Sequence, residues 1–74
     1  MLTPKDIFEI IELGERLHLT TIVVERTIFG ELQHRVRYEN YMINDEKLYY
    51  IYTDNVQHSC LIKHIDRIEL KQED

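Results

Sequence analysis

The chain has no tryptophan, one cysteine, one proline and two glycines in 74 residues, and each scarcity excludes something. A lone thiol, Cys60, cannot close an intrachain disulfide, so the stapled architecture of small secreted domains is ruled out. Glycine and proline are too few, and hydrophobic residues at 43% too many, for a disordered or low-complexity chain. No stretch approaches the ~20 apolar residues that a membrane helix needs, and no apolar leader stands at the N-terminus. Together with the single thiol, this points to a reducing cytoplasm. Basic residues are in the minority, 9 against 14 acidic, giving a formal charge of -5. That is the wrong sign for a protein that holds nucleic acid mainly by its phosphates.

What is present is a pattern for one domain spanning residues 1 to 74. A chain this short buries only about 60% of the surface its unfolded form exposes, so a metal or self-association is a common supplement to its core. In "LTPKDIFEIIELGERLH", Thr3 can cap, Pro4 suits the first helical position, and Asp6 stands three residues after the cap. Leu2 and Ile7 are spaced for a hydrophobic staple. Ile7, Ile10, Ile11 and Leu17 share one face. The spacing predicts a helix over residues 4 to 17, with Gly14 either weakening its last turn or admitting a strand close by.

From residue 19 onward the period becomes alternating and β-branched residues dominate. Strands are predicted over residues 19–28, 32–43, 48–53, 56–62 and 67–71. Gly30 supplies the positive φ for a turn or bulge at Phe29-Gly30-Glu31. The apolar parity of the second strand shifts near Glu39-Asn40, which predicts a bulge or sharp bend there. The fold class is therefore α+β: an N-terminal helix followed by a small antiparallel SH3-like or Sm-like barrel, or a strongly bent sheet, of about five strands. Ile62, Ile65, Ile68 and Leu70 are expected in its core.

The stretch "LIKHIDRIEL", residues 61 to 70, resembles the end of the second Sm motif in bacterial Sm-like RNA chaperones of the Hfq type. An apolar strand there runs into a Lys-His pair, a turn and a last strand. The resemblance implies RNA binding by Lys63 and His64 around the pore of a ring. An Sm-like RNA binder built on this chain would add Arg35 and Arg37, the basic pair of residues 31–40, as further contacts. Ile62 stands where that family has a stacking tyrosine. In size and composition the chain also resembles small proteins carried by prophages and mobile elements of Gram-positive bacteria.

Other chemistry has less to stand on. His58, Cys60 and His64 share strand parity, and residues two apart on a strand lie about 6.6 Å apart, so they are candidate metal ligands. Their spacing matches no standard zinc pattern, and no metal or cofactor is assigned. Asp54, His58 and Cys60 can be drawn as a nucleophilic set, but no catalytic signature surrounds them, and no enzyme activity is expected. Apolar and aromatic residues occupy both faces of "YMINDEKLYYIYT", whereas a one-layer domain needs to bury only one. Tyr41, Tyr49, Ile51, Arg35 and Arg37 are accordingly the expected partner-binding residues of a protein-interaction or regulatory module, acting as a homodimer.

Overall fold

Thr3 sets where the helix begins. Its hydroxyl accepts from the Asp6 N–H at 3.1 Å, while the Asp6 carboxylate accepts from the Thr3 N–H at 3.0 Å. This reciprocal box satisfies two otherwise orphaned donors. In the computed structural model, which describes residues 1–73, helix α1 runs over Pro4–Arg16 and turns Ile7, Ile11 and Gly14 inward. It stops through a left-handed cap: His18 has φ 56°, Leu19 N–H donates to the Gly14 carbonyl at 2.8 Å, and His18 N–H to that of Glu15 at 3.2 Å. Histidine holds a position that glycine usually fills. Because Leu17 is the cap residue, it is exposed rather than on the buried face that the periodicity predicts.

Six strands follow: β1 (Thr20–Thr27), β2 (Gly30–Val36), β3 (Tyr41–Ile43), β4 (Lys47–Ile51), β5 (Gln57–Leu61) and β6 (Ile65–Lys71), with a 3-10 turn at Ile62–His64 before the last. They form two antiparallel sheets, ordered β2-β1-β6 and β3-β4-β5. The sixth strand arises because the expected strand 32–43 is broken. Residues 37–40 leave the ladder, and Asn40 N–H closes a turn onto the Arg37 carbonyl at 3.2 Å. The chain is thereby handed from one sheet to the other, and the two sheets do not close into a barrel. The final strand starts earlier than expected. Its register with β1 shifts between Val24 and Glu25, which leaves Asp66 as the extra residue of a bulge. The Asp66 carboxylate accepts from Arg26 at 2.9 Å.

The core lies between the sheets, with α1 across one end. Ile7 and Ile11 meet Val23, Val36, Leu48, Tyr50, Cys60 and Ile62 there, and Ile65 and Ile68 pack against this group half-buried. Strand β1 is buried on both faces: Thr21 and Val23 point inward, whereas Ile22 and Val24 point out. The outward pair is flanked by Arg35 and Gln33 on β2 and by Glu69 and Arg67 on β6. The aliphatic stems of these four lie beside the strip, and the charged ends of Arg35, Arg67 and Glu69 are ion-paired. Arg67 contacts Glu31 at 2.7 Å and Glu69 at 2.8 Å, and Lys71 contacts Glu69 at 3.2 Å.

Gly14 decides how closely α1 can approach the sheet. A Cβ there would stand 2.6 Å from Thr21 Oγ1 and 3.1 Å from Leu70 Cδ2. Of the two roles the sequence allows, close approach is thus the one the structure uses. Gly14→Ala is expected to destabilise by roughly 1–3 kcal/mol through overpacking, although alanine is the better helix former. His18→Gly is expected to stabilise by about 0.5–1 kcal/mol by relieving the left-handed cap. Urea unfolding of the two variants should show shifts of opposite sign.

Candidate interaction surface

A buried polar bridge joins the two sheets. Strand β1 contributes Glu25, β2 contributes His34 and β4 contributes Tyr50. His34 Nε2 lies 2.8 Å from the Glu25 carboxylate, and His34 Nδ1 lies 2.7 Å from the Tyr50 hydroxyl. Tyr50 also stacks on His58 of β5, ring centroids 5.1 Å apart, and His58 Nε2 contacts Asp54 at 3.1 Å. The Asp54 carboxyl sits below its ordinary value, held first by the Val56 backbone N–H and then by His58. Sequence periodicity places His34 on the inward face of its strand, but nothing in its neighbours along the chain indicates Glu25 and Tyr50 as partners.

These contacts separate the residues that parity had grouped as metal ligands. His58 is engaged by Tyr50 and Asp54, His64 lies 3.9 Å from Glu25, and Cys60 is buried. Among the described residues, no three His, Cys, Asp or Glu side chains are arranged to hold a metal ion. Of the Asp54, His58 and Cys60 set, the first two do meet. Burial pushes the Cys60 thiol up to about 11, so it is protonated at neutral pH, the unreactive form.

The basic residues fall in different places. Lys63 and His64 are exposed on the 3-10 turn, and Lys63 borders a concavity that includes Asp45 and Glu46. Arg35 and Arg37 border another, with Glu15, Glu39 and Glu73. Arg35 contacts Glu73 at 2.6 Å. The two pairs have no lining residue in common and each is accompanied by acids.

The expected partner residues divide likewise. Tyr49 and Ile51 project from the outer face of β3-β4-β5, where Met42 lies opposite Tyr49 and is 66% exposed. Tyr41 lies opposite Tyr50 on the other side of β3. Its ring is 6.4 Å from that of Phe8 on α1 and 6.5 Å from that of Tyr38, and burial raises its hydroxyl above the ordinary value. Tyr41 therefore does not share a face with Tyr49 and Ile51. All three still belong to one apolar band, because Phe8, Tyr38, Tyr41, Met42, Tyr49 and Ile51 wrap around β3, the edge strand of its sheet. Among the described residues, Glu39 is the only charged one lining either concavity along this band.

Two features of this surface are absent from the sequence-level site. Phe8 and Tyr38 join it only because α1 and the 37–40 turn converge beside β3. A second apolar feature, Ile28-Phe29, sits at the tip of the β1–β2 hairpin, 93% and 94% exposed. Its signal was available: two large apolar residues occupy turn positions, where polar residues and glycine are usual.

In comparisons with known proteins the chain matches no family, no curated protein and no solved structure. No helix among the described residues is long and apolar enough to cross a membrane.

Burial also pushes the Tyr50 hydroxyl up to about 12. Tyr50 and Cys60 both hold their protons more tightly folded than unfolded. The stability they contribute is full below their ordinary values of 10.0 and 9.0 and is lost as pH rises through about 12 and 11. Thermal melts should therefore fall steadily above pH 9. In Cys60→Ala the decline between pH 9 and 11 should be shallower than in the unsubstituted chain, and an equal slope would count against a buried, protonated thiol.

Proposed function

We propose that this protein is a non-enzymatic interaction module that works by associating with itself, at the least as a homodimer, through the apolar band around β3. The observation that carries this reading is the continuity of that band. Met42, Tyr49 and Ile51 lie outside the sheet and Phe8, Tyr38 and Tyr41 beside its edge, and exposed apolar surface of this extent marks interaction sites on small soluble domains. Among the described residues Glu39 is the one charged side chain lining its concavities, with Glu12 near Tyr41, so a second copy can cover the band with few charges to desolvate. A 74-residue chain with a thin core also has most to gain from burying more surface.

We read the element order as an opened small barrel of SH3-like type. Strand β1 pairs with β2 on one side and β6 on the other, a 3-10 turn leads into β6, and β2 and β3 correspond to two halves of one bent strand. In that arrangement the band occupies the open side between the halves, where a partner would complete the surface.

Light scattering at micromolar concentration should give at least twice the 9.0 kDa chain mass. Met42→Glu, which places a charge at the centre of the band on an exposed position, should return the chain to a folded monomer whose melting temperature no longer depends on protein concentration. A monomeric unsubstituted chain would remove the reading.

A further inference from the structure

The hairpin tip between β1 and β2 is apolar, ordered and unused by its own chain. Ile28 and Phe29 are 93% and 94% exposed. The turn beneath them is tied on both sides, since Thr27 Oγ1 accepts from the Phe29 N–H at 3.1 Å and donates to the Gly30 carbonyl at 2.8 Å. The positive φ, 115°, falls on Gly30, which pairs with Thr27 in an unbroken ladder, so Ile28 and Phe29 form a two-residue loop without a left-handed backbone. Nothing in this turn requires large apolar side chains. A fixed backbone that presents them loses little further entropy when they are buried by a partner.

At the far end of β2 lies a concavity of the complementary kind. It is a shallow, open depression lined by Phe8, Tyr38, Glu39, Tyr41, Met42 and Ile43. The Tyr41 hydroxyl beside it is buried without a hydrogen-bond partner. Tip and concavity stand at opposite ends of a seven-residue strand, a separation of roughly 20 Å. A chain cannot seat its own tip.

We infer that the Ile28-Phe29 tip of one copy seats in the Phe8–Tyr38–Met42 concavity of a second copy, so that self-association pairs unlike surfaces rather than concavity with concavity. This rests on the self-association proposed above and names its geometry. Charge favours it. The nearest charges to the tip, Arg26 and Arg67 against Glu31 and Asp66, pair among themselves and cancel. Those of the concavity are acidic, Glu39 in its lining and Glu12 near Tyr41. A symmetric contact of concavity on concavity would oppose these acids across the interface, whereas a neutral tip does not.

A one-way contact leaves each copy of a pair with a free tip or a free concavity, and association then continues until a ring closes, of which a reciprocal pair is the smallest, or a chain grows. A phenylalanine buries about 150–250 Å², so the tip falls short of the ~800 Å² per partner of a standard interface. The mass should accordingly rise with concentration across the micromolar range.

Two variants on exposed positions separate the possibilities. Phe29→Asp removes the tip and keeps the concavity, and Phe8→Glu does the reverse. By sedimentation velocity each alone should be a monomer of 9.0 kDa, while their equimolar mixture should form a species of twice that mass and none larger. Only one productive contact is left in the mixture, between the intact tip of Phe8→Glu and the intact concavity of Phe29→Asp. Ile28→Ser and Tyr38→Ser form a second pair with the same expectation, should either first variant fail to fold. If Phe29→Asp associates as the unsubstituted chain does, or the mixture stays monomeric while the unsubstituted chain associates, the pairing of tip with concavity is wrong and self-association stands. If the unsubstituted chain is itself monomeric at high micromolar concentration, both readings fall together.

Discussion

Two sheets that share no hydrogen-bonded ladder have to be held face to face, and the Glu25–His34–Tyr50 bridge is where this happens through polar atoms. Glu25 and His34 come from neighbouring strands of one sheet and Tyr50 from the central strand of the other. Both ring nitrogens of His34 are engaged, the condition under which a buried polar group stops being a cost. Apolar packing alone tolerates sliding of one sheet over the other, whereas hydrogen bonds of 2.7 and 2.8 Å in two directions do not. The positions of the edge strand β3 and of the apolar band follow from that fixed relation.

The small core explains why charge is arranged as it is. Ile22 and Val24 face outward yet are buried, because the long side chains of Arg35, Gln33, Arg67 and Glu69 lie beside them. Individually such exposed ion pairs contribute little. Their stems nevertheless add apolar cover to a domain with one α-helix among the described residues. The same arrangement commits Arg26, Arg35, Arg67 and Lys71 to acidic neighbours. The outer face of the other sheet has no comparable roof. Met42, Tyr49 and Ile51 are left uncovered there, and the contrast between the two outer faces sets the second apart as a contact surface.

Much of the fold was legible because it is written in local terms. The capping box at Thr3, the inward Ile7 and Ile11, the glycine at the β1–β2 turn and the alternation of Leu48 and Tyr50 against Tyr49 and Ile51 depend on residues a few positions apart. What was misjudged depends on distance. Residues 37–40 looked like a bend in one strand and instead transfer the chain between sheets. Leu17 looked like part of a buried face, but the helix closes on His18. The register of β3 on β4 could not be read from spacing either: Tyr41 pairs with Tyr50 and Met42 with Tyr49, so Tyr41 and Tyr49 lie on opposite faces of their sheet.

The sequence by itself determined the class of the domain, one capped helix and a run of antiparallel strands, because capping and side-chain periodicity act within a few residues of the chain. It also determined that apolar side chains would exceed what one buried face requires. Only the tertiary structure decided where that excess would go. Phe8 and Tyr38 meet at β3, His34 finds Glu25 and Tyr50, and Ile28-Phe29 is carried to the end of the hairpin remote from any cover of its own. Each of these is settled by how two sheets and a helix pack in three dimensions, a contest among long-range contacts that local spacing does not encode.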